Sequence, residues 1–486
     1  MGKDKALRGR PQEGVVALIE RLEMQEVASR YKNPTLLILG SHSALDAWQG
    51  ARNYGLRALI YTTRDRARIY LQNAMAGAPG EVVEDLPSLV KRDVMVVEDP
   101  ADARRKAGWR SCILVLDSYM DVVKYVDDLL ELECLQVPNR AFSVYVGGDE
   151  RCSVIEDKFA VPIFGSRRLL KVENRGEVER DYYWLAEKAG IPYPRAFRFS
   201  VAKDGSGIKM EERVERPLIL KAESAQRRLE RSFIFAANSD DLEEKVRREV
   251  EAGRLDAEGL RHARVEEYIP GPHANFNFFY SPLNAKAEWG DVERYYAKLH
   301  GLSVEEARNF LANELISIDE RRETTHDGVV RLPASVQLEV DWSKTPYPLS
   351  FEVTLHGDLS IRESLLKDVL LVANSFLKAT QLFEPPGIIG AWCLQTIITW
   401  TSVPKVRAFE GVGLGLYDVA EAGEVYMHVP FVQDVALRHG GGANVHMAVG
   451  GKYATARYAR RMSVGDRVAL EVVRAQRKGM LKELVT

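Results

Sequence analysis

The stretch LLILGSHSALDAWQGARNYGL, residues 36–56, decides the fold prediction for the first part of the chain. Its first four residues are an apolar run, the pattern of a strand buried on both faces. Gly40 permits a tight turn, and Ser41 or Ser43 is a suitable N-cap for the helix that follows. His42 then lies at the carboxyl end of a strand and the amino end of a helix, where open α/β sheets bind anionic ligands. An ordinary surface turn fits the same residues.

The composition is that of a globular protein with a large core. The chain has 486 residues, of which 46% are hydrophobic and 28% charged, enough for two to four domains. The formal net charge of -3 gives no reason to expect a nucleic-acid or membrane partner. The four cysteines are widely spaced without a C-x-x-C motif, which fits a reducing cytoplasm. No stretch has the roughly 18 apolar residues of a membrane span, and we expect a cytoplasmic protein.

Strands and helices alternate through the first third of the chain. Apolar residues at helical spacing predict a helix over 13–31. After the opening strand, we expect strands at 56–63, 94–98, 112–118 and 141–147, with helices between them. This alternation predicts a parallel sheet wrapped by helices. We assign it to a first domain of about residues 1–160.

The rest of the chain divides into two mixed regions separated by a helical segment. The region 161–290 contains predicted helices at 177–194 and 239–253, the second with Ser239 as N-cap, and predicted strands at 216–224, 264–271 and 275–283. Residues 291–314 look like an inserted helical pair. The region 315–486 contains predicted helices at 363–383 and 463–478 and a strand within 385–400.

Two strands of the middle region carry residues suited to binding a nucleotide. Lys221 lies on an apolar strand, where its ammonium group could reach phosphate oxygens. The segment Glu266-Glu267-Tyr268-Ile269 has the features of an adenine hinge, in which backbone groups read the base edge and a carboxylate accepts the exocyclic amine. Each feature alone also has a structural explanation.

Two late strands carry residues suited to a magnesium ion and a transferring phosphoryl group. Gln395 and Asp434 offer hard oxygen ligands, and Mg²⁺ on phosphates uses one or two protein ligands of this kind. Arg438 follows Asp434 by four residues and could neutralise a transferring phosphoryl group. The glycines at 440–442 allow the backbone to approach a ligand closely. Alone, Gln395 could merely satisfy buried backbone groups.

In this order, the pieces resemble the ATP-grasp ligases, and more closely the archaeal PurP family of formate-dependent FAICAR synthetases. The resemblance runs from about residue 36 to the end of the chain. It is carried by ordered motifs that include LGSHSALD, VPIFGSRRLL, VEEYIPG, FFYSPL, RLPA, IRESLL, PPGIIGAWCLQ, DVALRHGGGAN and SVGDRVA. A D-x-R-x-E segment, Asp319-Arg321-Glu323, belongs to the same series. The implied fold is α/β, with an N-terminal parallel-sheet (pre-ATP-grasp) domain followed by ATP-grasp α+β domains.

The resemblance also implies a reaction and assigns residues to it. Formate is phosphorylated by ATP to formyl phosphate, and the exocyclic amine of AICAR then attacks to give FAICAR in purine biosynthesis. The implied cofactor is Mg²⁺, with Mn²⁺ as a substitute, and the implied assembly is a homo-oligomer. The implied site residues are His42, Arg140, Ala141 and Thr325 for the substrate, Arg167, Lys221 and residues 266–269 for ATP, Gln395 and Asp434 for the metal, and Arg438 for catalysis.

The chain departs from the family pattern around the acceptor. Asn139-Arg140-Ala141-Phe142 replaces H-G-S-F, so the expected serine hydroxyl is absent and a guanidinium is added. Thr325 replaces an asparagine. The segment AESAQRRLERSF, residues 222–233, has three arginines (Arg227, Arg228 and Arg231) and no glycine where the family has a glycine-rich loop. Insertions occur at about 291–314 and 411–430.

These departures leave three functions open. The first is FAICAR synthetase itself. The second is an ATP-grasp ligase that joins a carboxylate to an amine on another nucleotide-like acceptor. The third is a non-catalytic nucleotide-binding paralogue, although a mere binder has no need of a complete phosphoryl-transfer set.

Overall fold

The computed structural model describes residues 21–149, 151–176, 178–224, 227–344, 346, 350, 353–402 and 426–486. The first part of the predicted helix 13–31 and most of the predicted insertion 411–430 lie outside these residues. The chain forms two compact units. We call residues up to Leu170 together with Gly465–Thr486 the parallel-sheet unit, and Lys171–Val464 the antiparallel-sheet unit.

The described strands, in chain order, are β1 (Thr35–Leu39), β2 (Arg57–Thr63), β3 (Val94–Val97), β4 (Ser111–Leu116), β5 (Cys134–Val137), β6 (Ala196–Phe197), β7 (Phe199–Val201), β8 (Ile208–Met210), β9 (Leu218–Ser224), β10 (Arg227–Ala236), β11 (Arg264–Glu267), β12 (His273–Tyr280), β13 (Asn313–Glu323), β14 (Val353–Asp358), β15 (Gly390–Ser402) and β16 (Tyr426–Ala436).

The described α-helices are α1 (Arg21–Ser29), α2 (Ala44–Asn53), α3 (Ala67–Gln72), α4 (Leu86–Asp93), α5 (Pro100–Arg105), α6 (Val126–Glu131), α7 (Arg140–Val146), α8 (Ser153–Asp157), α9 (Leu169–Val172), α10 (Tyr182–Ala189), α11 (Ser239–Glu251), α12 (Ala257–Arg261), α13 (Pro282–Ala285), α14 (Asp291–His300), α15 (Val304–Leu311), α16 (Thr324–Val330), α17 (Ala334–Glu339), α18 (Glu363–Phe383), α19 (Lys452–Tyr458) and α20 (Val464–Arg477). Within the described part of the chain, none is both long and apolar enough to cross a membrane.

The parallel-sheet unit is built on a five-stranded sheet in the order β3-β4-β2-β1-β5. Its neighbouring strands all pair in parallel. All five residues of β1 are buried, as expected for a central strand covered by helices on both faces. The predicted parallel sheet is confirmed, and the carboxyl ends of β1, β2 and β5 share one edge.

One predicted strand of this unit is wrong. Residues 141–146 belong to α7 and Gly147 is its C-cap residue, whereas the strand that pairs with β1 is β5, a few residues earlier. The Asn139 side chain accepts a hydrogen bond from the backbone N–H of Phe142 and thereby caps the helix. A short apolar run fits a buried helix as well as a strand, and Phe142 and Val146 are buried on this helix.

The C-terminal helix completes the parallel-sheet unit by packing closely on α2. A Cβ atom built on Gly50 would lie 2.1 Å from the Gly465 carbonyl oxygen. The Gly465 N–H donates to the buried Asp46 carboxylate at 2.7 Å, and Asn53 donates to Asp466 at 2.8 Å. Glycines at the crossing therefore allow a backbone-to-backbone contact that larger residues would prevent.

The antiparallel-sheet unit contains two larger sheets and a β7-β8 hairpin pair. Their strand orders are β10-β9-β11-β6 and β14-β13-β12-β15-β16, and all pairings are antiparallel. The helical pair predicted at 291–314 is present as α14 and α15. The N-cap of α11 is Asn238 rather than the predicted Ser239, because the Asn238 side chain accepts from the Asp241 N–H.

Candidate functional site

The turn after β1 and the turn after β5 are joined at the edge of the parallel sheet. The Asn139 side-chain amide donates to the carbonyls of Leu39 (3.1 Å) and Ser41 (3.2 Å). His42 is exposed and has a φ of 58°, a left-handed conformation that is uncommon outside glycine and often found at functional sites. Ser43 is the N-cap residue of α2, but its hydroxyl makes no capping hydrogen bond. The predicted turn is present and Ser43 is at the predicted N-cap position, but the capping hydrogen bond is absent.

The same edge carries two arginines. Arg140 is the first residue of α7 and is partly exposed, whereas Ala141 is buried. Arg66, which the sequence reasoning missed, follows β2 and donates to the Ser41 hydroxyl at 3.0 Å and to the Tyr145 hydroxyl at 3.1 Å. The sequence signal that could have identified Arg66 is its position just after a strand of the same parallel sheet. The edge is therefore basic and suits an anionic ligand such as a ribonucleotide phosphate.

Arg167 has a structural role in the parallel-sheet unit. Its buried guanidinium donates to the carbonyls of Ile155 (2.5 Å), Phe159 (2.9 Å), Val161 (2.8 Å) and Thr486 (3.3 Å). Burial lowers the pKa of this guanidinium to about 9. Since these carbonyls occupy both terminal nitrogens of the guanidinium, we leave Arg167 out of the proposed ATP site.

Lys221 is held by Glu266 on the neighbouring strand. The Lys221 ammonium lies 2.7 Å from the Glu266 carboxylate, and Arg264 lies 2.9 Å from the other oxygen. Glu266 is fully buried. Burial raises the pKa of this carboxyl, but the charges of Lys221 and Arg264 outweigh that effect and lower it overall. Burial lowers the pKa of Lys221 to about 8, although Glu266 opposes the shift. The lysine therefore keeps its charge at neutral pH.

A tyrosine pair connects this ion pair to the strand that carries Asp434. Tyr183 donates from its hydroxyl to the Glu266 carboxylate, and it also lies 3.3 Å from the Gln433 carbonyl. Tyr182 donates to the same carbonyl at 2.9 Å. These residues belong to α10, so this helix links β11 of one sheet to β16 of the other. The arrangement places Lys221 and Asp434 around one site.

The predicted adenine hinge divides into two parts. Glu266 faces Lys221. Because the Glu266 carboxylate forms the ion pairs described above, we assign it to positioning the lysine. Glu267 is on the opposite face of β11, and its carboxylate accepts from the Arg195 N–H at 3.0 Å. Tyr268 is 40% exposed, and Ile269 packs beside the buried Val429 and Phe431. Residues 267–269 therefore remain the proposed adenine contact.

Gln395 and Asp434 are directly paired across β15 and β16, next to an irregularity in the ladder. Irregularities of this kind are common beside active sites. Gln395 Oε1 is buried and has no hydrogen-bond donor among the described residues, which fits a position for a cation. Asp434 Oδ2 lies 3.6 Å from Arg175 Nη2. No group of three or more His, Cys, Asp or Glu residues in the described ranges could hold a metal. The two oxygens fit Mg²⁺ that is also bound by phosphates.

Arg438 is oriented by Glu173, another residue that the sequence reasoning missed. Both side chains are buried and lie 3.3 Å apart. The second Glu173 oxygen accepts from the Leu437 N–H at 3.0 Å. Because the carboxylate holds both the guanidinium and the backbone beside it, Arg438 has a fixed direction.

The structure describes a side-chain contact of Thr325, but only the backbone of the basic segment. The Thr325 hydroxyl accepts from the Ser350 N–H at 2.8 Å. The backbone of Arg227–Ala236 forms β10 and pairs with β9 through an irregular register. The side chains of Arg227, Arg228 and Arg231 lie outside the described part of the structure.

Comparisons with known proteins identify the family. Residues 241–486, half of the chain, match the family described as "Domain of unknown function (DUF1297)". The chain belongs to this family. Residues 36–197 match a second family, described as "Protein of unknown function (DUF1246)".

Named relatives cover nearly the whole chain. A protein of Methanopyrus kandleri called 5-formaminoimidazole-4-carboxamide-1-(beta)-D-ribofuranosyl 5'-monophosphate synthetase is 28% identical over 96% of this chain and 100% of its own. A protein of the same name from Methanobrevibacter smithii is 26% identical over 93% of this chain and 95% of its own. That name is FAICAR synthetase, so the expected family resemblance is confirmed.

A solved structure has the same fold. The crystal structure of an IMP biosynthesis protein, PurP from Thermococcus kodakaraensis, matches with a TM-score of 0.52 and 20% identity. It covers 93% of this chain and 100% of that chain. The predicted fold class, a parallel-sheet domain followed by antiparallel α+β domains, is thereby confirmed.

Proposed function

We propose that this protein is an ATP- and formate-dependent ligase that converts AICAR to FAICAR through formyl phosphate in purine biosynthesis. The observation that carries the proposal is the link from Lys221 through Glu266 and Tyr183 to the strand of Asp434. It supports the proposal because Lys221, which would bind phosphate, and the Gln395–Asp434 pair, which would bind the metal ion, belong to one unit. The relatives that share this chain's length and bear the FAICAR synthetase name support the same reaction. Purine synthesis makes the cytoplasm its proposed location.

Each residue of the site has a task in the proposed mechanism. Lys221 binds phosphate oxygens of ATP, and residues 267–269 contact adenine. Gln395 and Asp434 would hold Mg²⁺, which would neutralise charge on the phosphates. Arg438, held by Glu173, stabilises the charge on the phosphoryl group as it is transferred.

The bond changes are those of a two-step acyl transfer. A formate oxygen attacks the γ-phosphorus, the bond to ADP breaks, and formyl phosphate forms. The exocyclic amine of AICAR then attacks the formyl carbon, the carbon–oxygen bond breaks, and phosphate leaves as the nitrogen loses its proton. We propose the basic edge around His42, Arg66 and Arg140 as the binding site for the AICAR ribonucleotide phosphate.

A different acceptor is the second candidate, and Ala141 favours it. The family serine at this position is absent, and Ala141 is buried at the start of α7. The Arg140 guanidinium beside it can bind phosphate in a bidentate manner. An ATP-grasp ligase acting on a related nucleotide-like amine fits these two residues.

The test is ADP release by the purified protein with ATP, Mg²⁺ and formate, with and without AICAR. AICAR-dependent release together with FAICAR formation supports the first function. ATP binding without release under either condition favours another acceptor or carboxylate. Failure to bind ATP indicates a non-catalytic paralogue and contradicts both enzymatic proposals.

A further inference from the structure

A row of polar side chains crosses the five-stranded sheet beside the proposed metal ligands. The register pairs Asp319 with Asn275, Asn275 with Gln395, and Gln395 with Asp434. Directly paired residues of antiparallel strands point to the same face, with Cβ atoms about 4.5 to 5.5 Å apart. Four neighbouring strands therefore present one continuous row of oxygen-bearing side chains.

Two neighbouring members of this row have a buried oxygen atom that needs a partner. Asn275 is 4% exposed. Its Oδ1 atom and the Oε1 atom of Gln395 are both buried without a hydrogen-bond donor among the described residues. Leaving such an acceptor without a donor or cation is energetically unfavourable. Two of them on paired residues indicate a shared positive or hydrogen-donating ligand.

The orientation of the Asn275 amide is fixed by its other neighbour. Asn275 Nδ2 donates to Asp319 Oδ2 at 2.8 Å. Exchanging the amide oxygen and nitrogen would place a carbonyl oxygen against the carboxylate, which is repulsive. The amide oxygen therefore points away from Asp319.

Asp319 is itself held from several sides. It is fully buried and accepts from Asn277 Nδ2 at 2.6 Å, and His356 Nδ1 lies 2.8 Å from it. A Cβ atom on Gly442 would lie 2.3 Å from both carboxylate oxygens. The carboxylate is thus a rigid support for the Asn275 amide, as outer partners are for metal ligands.

We propose that Asn275 is a third protein ligand of the cation bound by Gln395 and Asp434, positioned by Asp319. This inference rests on the proposed function, since it assumes the nucleotide-bound Mg²⁺. Two oxygens on one Mg²⁺ lie at most about 4 Å apart, twice the bond length of about 2.1 Å. Directly paired residues on adjacent strands have Cβ atoms about 4.5 to 5.5 Å apart, so their side-chain oxygens are able to approach within that limit. The ligand set contains two neutral amides and one carboxylate, so much of the charge balance comes from the phosphates.

The test measures metal affinity rather than turnover. Mn²⁺ is titrated into the protein saturated with a non-hydrolysable ATP analogue, and free Mn²⁺ is measured by electron paramagnetic resonance. We expect Asn275→Leu to weaken Mn²⁺ binding by at least about tenfold. Asn275→Asp keeps an oxygen ligand but places a second carboxylate oxygen against Asp319 in place of the donating Nδ2, so its Mn²⁺ affinity is expected to lie between those of the unmodified protein and Asn275→Leu.

Asn277→Leu is the matched control, because it also removes one hydrogen bond to Asp319. A structural effect through Asp319 would weaken Mn²⁺ binding equally in both leucine variants and would overturn the proposal. Affinity in Asn275→Leu within twofold of the unmodified protein would also overturn it and would indicate water at the two oxygens. If the unmodified protein fails to bind the analogue at all, the proposed function itself is wrong, which is a distinct result.

Discussion

Replacing Glu266 with glutamine removes the carboxylate that holds Lys221 and Arg264. Both ion pairs are short, at 2.7 and 2.9 Å, and the Glu266 side chain is fully buried. Removing one partner of a buried pair costs about 3 to 5 kcal/mol, because it leaves the other charge uncompensated. We therefore expect Glu266→Gln to lower the melting temperature by about 5 °C or more.

The same substitution affects the nucleotide site. The Glu266 charge raises the pKa of Lys221 against the effect of burial, so its loss drives the lysine further toward the neutral form. ATP affinity at pH 7 should fall for this reason, measured by titration calorimetry. Lys221→Met is the reference variant, because its side chain carries no charge at this position.

The stability of the protein at low pH provides an independent test of the Glu266 ion pairs. Because the pKa of Glu266 is lowered in the folded protein from its ordinary 4.5, its stabilising contribution is complete above about pH 4.5 and is lost as the pH falls further. The melting-temperature difference between the two proteins should therefore be full at pH 6 and shrink on acidification. The reasoning is refuted if Glu266→Gln costs less than 1 °C at pH 6, or if its effect and that of Lys221→Met add fully in the double variant, since contacting residues must couple.

Four further outcomes follow from the site. ATP affinity should decline as the pH rises through about 8, the pKa of Lys221. In Lys221→Arg the ATP affinity should stay constant to pH 9. Equal pH profiles of ATP affinity in the two proteins would contradict the phosphate-binding role of Lys221. Asp434→Ala should abolish Mg²⁺-dependent ADP release by the folded protein, and a variant that still turns over would remove Asp434 from the metal site. Gly442→Ala should lower both stability and metal affinity, because its Cβ would meet the Asp319 carboxylate at 2.3 Å; a crystal structure with Asp319 unmoved would contradict this. Arg140→Ala should raise KM for the ribonucleotide acceptor with little change in KM for ATP, and an equal change in both would speak against the acceptor edge.

The regular parts of the fold were predictable because their sequence patterns are unambiguous. The apolar runs at β1, β2 and β4 and the long periodic pattern of α18 were assigned to the correct type of element. The run at 141–147 was not, since a short apolar run without alternation fits a buried helix as well as a strand. The side chain of Asn139 caps α7 and thereby favours the helix in this segment.

The site was predictable in its residue types but not in its connections. Lys221, Gln395, Asp434 and Arg438 stand out in the sequence through motif order. Their partners do not, because a buried carboxylate such as Glu173 has the same sequence appearance as a surface one. Glu173 and Arg438 are 265 positions apart, and no local sequence pattern records a tertiary contact of that kind.

The most direct test of the central claim uses formate labelled with ¹⁸O, together with ATP, Mg²⁺ and AICAR. If formate is phosphorylated and the amine then displaces phosphate, one ¹⁸O atom must appear in inorganic phosphate and the other in the formyl group of FAICAR. Mass spectrometry of both products measures this distribution. Labelled phosphate formed in proportion to FAICAR is the predicted result. Product that retains its formyl oxygen while the phosphate carries no label would contradict the account.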